Sequence, residues 1–162
     1  VCTPVIVVVD GNFRFEYLKY LFSKKQIIIV PLSHESESML ASIVYGVNSI
    51  IGSVNGIAVL PGDCSVIPSS IVRKLNKVFF EKNPNFLMPV FKSQQGHPRY
   101  VSQRMFNSLY QLNKINGSRF SDIFNKNMSS VLKVEVRSKS IITDADNLIE
   151  YQAIIKRYDK GK

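Results

Sequence analysis

Cysteine is scarce in this chain: its 162 residues include two, Cys2 and Cys64. They form no C-x-x-C pair, so neither a redox motif, a zinc knuckle nor a disulfide framework is indicated, and a reducing cytoplasm is the simplest compartment. Long apolar runs are missing as well. No segment approaches the ~18 consecutive apolar residues of a membrane span, and the first residues lack the basic-then-apolar order of a secretion signal. Acidic residues are outnumbered, 12 against 21 Lys plus Arg, which leaves a net charge of +9. The basic residues are spread along the chain in short pairs such as Lys24-Lys25, Arg73-Lys74 and Lys156-Arg157. Without the aromatic-interleaved stripe that binds single strands, this excess reads as solvated surface, with neither nucleic acid nor membrane as partner. No G-x-S-x-G elbow is present, so acyl hydrolysis is not supported.

What is present is a substantial core. The 45% apolar share and the length suit one compact domain over 1–162. "PVIVVV" runs into a turn at Asp10-Gly11 and a helix-like stretch that Asn12 can cap. "QIIIV" leads through "PLSHESES" to "MLASIVYGVNSII", whose Leu40, Ile43, Val44, Val47, Ile50 and Ile51 share a helical face. "GIAVL" leads through "PGDCSVI" to "PSSIVRKLNKVFFEK", with Pro68 suited to a helix start. "FLMPVF" is a further strand, and "SQRMFNSLYQL" and "SRFSDIFNK" are helices. "VLKVEVR" alternates like an edge strand, and "DNLIEYQAIIKRY" is a closing helix. Strands that are nearly all aliphatic fit a parallel sheet covered on both faces, and their regular alternation with helices predicts a doubly wound α/β fold.

In such folds ligands gather beyond the carboxyl ends of the strands. Asp63 stands at one such end, after Pro61 and Gly62 have closed the strand. Read locally it is a turn or capping aspartate; read with the fold it projects over the active edge. "TDADN" carries a second pair, Asp144 and Asp146, which face opposite ways in an extended chain, so that one can reach a site while the other caps the next helix. Two separate strand-end carboxylate sites suit Mg²⁺, whose hard-oxygen preference is met by carboxylates and phosphates together. The third feature is "SQQGHPRYVS", a Gly-Pro turn carrying His97, one of two histidines. With no Cys or His beside it in sequence, His97 is a poor zinc ligand.

The ordered segments "ESMLASIVYGV", "VLPGDCSVI", "PVFKSQQGHPRYVSQRMFNSL", "NGSRFSDIF" and "IITDADNLIEY" resemble the MobA-like NTP transferase family, especially its molybdenum cofactor cytidylyltransferase-like members. The resemblance covers nearly the whole chain. Its motifs are the L-P-x-D strand end (Asp63), the G-H-P turn (Gly96, His97, Pro98) and the late D-x-D (Asp144, Asp146). It implies an α/β, Rossmann-like nucleotidyltransferase fold of the GT-A type, with a mainly parallel sheet and helices on both faces. It further implies Mg²⁺-dependent transfer of a nucleoside monophosphate from an NTP, with CTP favoured, to a phosphorylated acceptor such as molybdopterin, releasing pyrophosphate. A molybdoenzyme is the implied protein partner. By the same resemblance Asp63 is a catalytic metal ligand and Asp144 or Asp146 a second, while Ser42, Gly96, His97 and Pro98 shape the acceptor side.

The chain departs from the family pattern in places. It lacks the opening strand and glycine-rich L-A-A-G-x-S-x-R-M-G loop that cradles the triphosphate, which is read as an N-terminal truncation of about one strand-loop-helix unit. Gln95 replaces an Arg before G-H-P, Ile115 replaces an acidic residue, and Asn147-Leu148 replaces Thr-Pro after D-x-D. These changes bear on the acceptor more than on the fold. Two other readings follow: a nucleotidyltransferase with another acceptor such as a sugar phosphate, and a non-catalytic protein that binds or inserts a cofactor.

Overall fold

A computed structural model describes residues 4–9, 27–32 and 38–159. The helix expected after Asn12 lies outside the described residues. The chain divides into two compact units, residues 1–55 with 103–128, and residues 56–102 with 129–162.

In the first unit, β1 (Val5–Val9) pairs in parallel with β2 (Ile27–Pro31), Val5 opposite Ile27. Both strands are aliphatic, as a covered parallel pair requires. Helix α1 (Met39–Asn48) begins at Ser38, whose hydroxyl accepts from Ala41 N–H at 3.2 Å. The expected helix ran on to Ile51. Instead the chain turns at Ser49: its N–H donates to the Gly46 carbonyl and Ile50 N–H to that of Val47, so the final turn tightens and ends. Gly46 sets how closely α1 approaches β1, since a Cβ there would stand 3.1 Å from Val8 Cγ2. The unit is completed by α2 (Phe106–Asn113) and α3 (Phe120–Lys126), with Leu109, Leu112, Phe120, Ile123 and Phe124 buried.

In the second unit β3 (Gly56–Val59) is followed by α4 (Ser69–Lys82), which starts after Pro68 and ends on Asn83 in the left-handed conformation. Then come β4 (Phe86–Phe91), β5 (Gln94–Gln95), β6 (Arg99–Ser102), β7 (Val131–Glu135) and the closing helix α5 (Leu148–Asp159). β6 runs antiparallel to both β3 and β4, with Ile57 and Phe86 opposite Val101, and β7 joins β4 in parallel. Strands β3, β4 and β7 therefore share one direction, which is the parallel frame the sequence indicated, and β5 and β6 are reversed within it. The sequence reading placed the start of a helix at Ser102. The four residues "RYVS" form a strand instead, because Tyr100 and Val101 are buried between two apolar neighbours. Among the described strands β7 pairs with β4 alone, as expected of an edge, and its Lys133 and Glu135 are exposed while Val131 and Val134 are buried.

The core of this unit joins Leu75 and Phe79 of α4 to Leu87, Tyr100, Val134, Val136 and Ile141. The Tyr100 hydroxyl donates to Asn76 Oδ1 at 2.7 Å, which satisfies both polar groups within it. No helix among the described residues is long and apolar enough to cross a membrane.

The β4–β5 hairpin turns on Lys92 (φ 48°) and Ser93 (φ 68°), between the paired Phe91 and Gln94. Two consecutive positive φ values define a turn in which glycine is favoured at the second position. Ser93→Gly is expected to stabilise the protein by about 0.5–1 kcal/mol, read as a Tm rise of about 1–4 °C.

Candidate active site

The shared direction of β3 and β7 brings their carboxyl ends to the edge where β6 begins. Three loops meet there. After β3, Cys64 N–H closes a turn onto the Pro61 carbonyl at 3.3 Å, which ends the strand and lifts Asp63 out of it. After β7, Lys139–Ile142 forms a short 3₁₀ turn started by Ser138, whose hydroxyl accepts from Ser140 N–H. Ahead of β6 lies the Gly96-His97-Pro98 turn.

Backbone bonds stitch these loops together. Ser65 N–H donates to the Thr143 carbonyl and Ala145 N–H to the Asp63 carbonyl, both at 2.8 Å, with Cys64 directly opposite Asp144 in an isolated antiparallel bridge. His97 N–H donates to the Ile141 carbonyl at 2.8 Å, and Gly96 N–H to the Pro89 carbonyl at 3.0 Å. Gly96 is required at its position: a Cβ would lie 2.4 Å from the Ile141 oxygen, closer than any side chain tolerates.

The side chains then converge. One carboxylate oxygen each from Asp63 and Asp144 and the Cys64 sulfur all lie within 4.8 Å of one another. Both aspartates are exposed and Cys64 is half-buried. Burial, followed by a hydrogen bond to Asp144 and the negative charges of Asp144 and Asp63, pushes the Cys64 thiol up to about 12. The thiol is therefore protonated at neutral pH, and the ligating atoms available are carboxylate oxygens. Such a donor set fits a hard divalent cation completed by phosphate oxygens and water. His97 is half-buried beside this group. Burial pushes its pKa below the ordinary 6.5, Arg99 pushes the same way, and Asp144 and Asp63 oppose them. Burial also lowers the Arg99 guanidinium, which stays charged.

Of the residues singled out in the sequence, Asp63 and Asp144 come together and Gly96, His97 and Pro98 form the adjoining turn. Asp146 stands outside the three-residue group: its N–H donates to Glu150 Oε2 at 2.8 Å, next to Asn147, whose Oδ1 caps Glu150 N–H. Ser42 sits in the first turn of α1, in the other unit. Cys64 and Arg99 were missed as site residues. Adjacency to Asp63 was the available signal for the first. For the second it was two-residue spacing from His97, which in extended chain returns a side chain to the same face.

A profile of the MobA-like NTP transferase domain matches residues 1–130. The chain belongs to this family. Its enzymatic class is accordingly nucleotidyl transfer, on a Rossmann-like nucleotidyltransferase fold. The chain is similar in fold to Rv0371c from Mycobacterium tuberculosis H37Rv, at 15% identity and TM-score 0.73, over 95% of this chain and 76% of that one. A manganese complex of Rv0371c matches at 15% identity and TM-score 0.70, over 95% and 78%. An Rv0371c homolog from Mycobacterium sp. strain JC1 matches at 17% identity and TM-score 0.71, over 99% and 77%. No curated protein is significantly similar to the chain. Within the family fold, the G-H-P turn and the two aspartates belong to one edge of the second unit.

The Cys64 thiol carries a direct test. In the Cys2→Ser protein, burial and neighbouring negative charge leave almost no thiolate at about pH 8, so alkylation by iodoacetamide is expected to be at least ~100-fold slower than for an unperturbed thiol. The rate should climb steadily as pH rises past 9, the ordinary value for the group. Stopped-flow or mass-spectrometric labelling checks both.

Proposed function

We propose that this protein transfers a nucleoside monophosphate from an NTP, CTP by preference, to a phosphorylated acceptor of the molybdopterin type, and that Asp63 and Asp144 hold the divalent cation required. The observation that carries this reading is the meeting of two carboxylates from separate loops at the strand-end edge of a nucleotidyltransferase fold. Mg²⁺ is the expected cation, and the neighbouring fold solved with manganese supports a divalent ion of this kind. A molybdoenzyme in the cytoplasm is the protein partner consistent with this acceptor.

In the reaction an acceptor phosphate oxygen forms a bond to the α-phosphorus while the α–β phosphoanhydride bond breaks, and pyrophosphate leaves with the electron pair. No protein nucleophile is needed; the residues position reactants and balance charge. A divalent ion on Asp63 and Asp144 supplies neutralisation of the phosphate oxygens. The Gly96-His97-Pro98 turn forms the lip for the acceptor, and Arg99 adds a fixed positive charge for its phosphate.

The test is pyrophosphate release by the protein with Mg²⁺ or Mn²⁺, offered CTP, GTP or ATP and molybdopterin. Release that requires both CTP and molybdopterin is expected. Release with a sugar phosphate would replace the acceptor, and nucleotide binding without release would make the protein a carrier. His97→Ala is expected to weaken acceptor binding about 5- to 150-fold, the worth of about 1–3 kcal/mol for a hydrogen bond to a charged group, and to leave the NTP affinity within threefold. Isothermal titration with each ligand decides this, since equal losses would assign His97 a general structural role.

A further inference from the structure

The sequence holds two Asn-Gly pairs in nearly the same setting, Val54-Asn55-Gly56-Ile57 and Ile115-Asn116-Gly117-Ser118. We propose that Asn116 is a site of spontaneous deamidation and that the fold protects Asn55 from the same reaction.

The chemistry needs no enzyme. The glycine nitrogen, once it has lost its proton to a base in solution, bonds to Cγ of the asparagine; the Cγ–Nδ2 bond breaks, and the amide nitrogen takes up a proton and leaves as ammonia. The product is a cyclic succinimide. Water then opens either of its carbonyls, leaving aspartate or isoaspartate. For the nitrogen to reach Cγ, the peptide between the two residues must turn about the asparagine ψ, and glycine eases the approach because it has no Cβ. What separates the two pairs is the freedom of that peptide.

Asn116 and Gly117 are the exposed corners of a turn between α2 and α3, closed by Ser118 N–H on the Ile115 carbonyl at 3.2 Å. Gly117 has φ 76°, and a Cβ there would meet nothing within 4 Å, so no neighbour crowds the turn as it rearranges. Asn55 is exposed too, but its backbone is held. Its carbonyl accepts from Gln103 N–H at 3.0 Å, and Gly56 stands opposite Ser102 in the β3–β6 ladder. A Cβ on Gly56 would lie 2.5 Å from the Val101 oxygen and 2.9 Å from Ser102 Cα, so the strand must open before this peptide can turn.

The test incubates the protein at mildly alkaline pH, folded and in guanidinium chloride, and follows each asparagine by mass-spectrometric peptide mapping. In the folded protein Asn116 is expected to convert at least ~10-fold faster than Asn55, which reacts only through strand opening. In denaturant the two are expected to convert within about threefold of each other, because their flanking residues are alike and the constraint is gone. Asn116→Gln, whose longer side chain would have to close a larger ring, is expected to remove most of the acidic form that ion-exchange chromatography separates from the parent. Equal rates in the folded protein, an Asn116 that stays intact there, or an acidic form that accumulates as fast in Asn116→Gln would overturn the assignment. A difference of the same size in denaturant would overturn the protective role of the fold.

Discussion

Asp63→Asn and Asp144→Asn are each expected to lower metal-dependent pyrophosphate release on the order of 10²–10³-fold, and Asp146→Asn to stay within about twofold. The contrast follows from placement. Asp63 and Asp144 face each other across the bridged loops, within 4.8 Å at their ligating atoms, while Asp146 stands at the entry to α5 beside Glu150. Both site aspartates are exposed, so neither contributes much packing, and removing one of two like charges held this close does not destabilise the metal-free protein. Melting curves without metal are therefore expected to be unchanged or slightly higher for the two site variants. With saturating Mn²⁺ the parent should gain stability and the variants should not, because an ion bound only by the folded state shifts the equilibrium by mass action. An Asp63→Asn protein with undiminished metal-dependent turnover would return Asp63 to a plain turn residue, and large loss in Asp146→Asn would shift the ligand pair.

The strand-helix order was legible because its signals are local. Aliphatic runs closed by Pro-Gly or Asp-Gly, and apolar residues at helical spacing, state their element without reference to anything distant. β6 was not legible: "RYVS" is too short to show a period and runs directly into a helix, and only its place between β3 and β4 makes it a strand. The site divided along the same line. Asp63 stood out because it follows an oily strand at the carboxyl edge where α/β folds gather their ligands, although read locally it is a turn aspartate. The choice between Asp144 and Asp146 depends on the Cys64–Asp144 bridge, a long-range contact that alternation within "TDADN" does not reveal. Cys64 and Arg99 carried only adjacency to Asp63 and spacing from His97 as local signals, since their significance lies in what three separate loops bring beside them.

Gly96→Ala tests whether those loops act as one device. The new methyl carbon would meet the Ile141 backbone at 2.4 Å from its oxygen and 2.9 Å from its carbonyl carbon, and Ile141 Cδ1 at 2.7 Å. Rotating a side chain relieves only the last of these. Neither backbone is free to retreat, because Gly96 N–H is tied to Pro89 and His97 N–H to Ile141 itself. The strain must open the bond between His97 and Ile141, and Ile141 is a core residue two positions before the Thr143 carbonyl that receives Ser65 N–H. The expected cost is about 1–3 kcal/mol, read as a Tm fall of about 3–10 °C, together with a loss of Mn²⁺ affinity as Asp144 shifts from Asp63. Gly62→Ala is the matched control, since a Cβ there meets nothing within 4 Å and the loop it lies in also reaches the site. That variant is expected to stay within about 0.5 kcal/mol of the parent and to bind Mn²⁺ normally. Stability lost without any change in Mn²⁺ affinity would show that the G-H-P turn packs against the metal loop without helping to set its geometry.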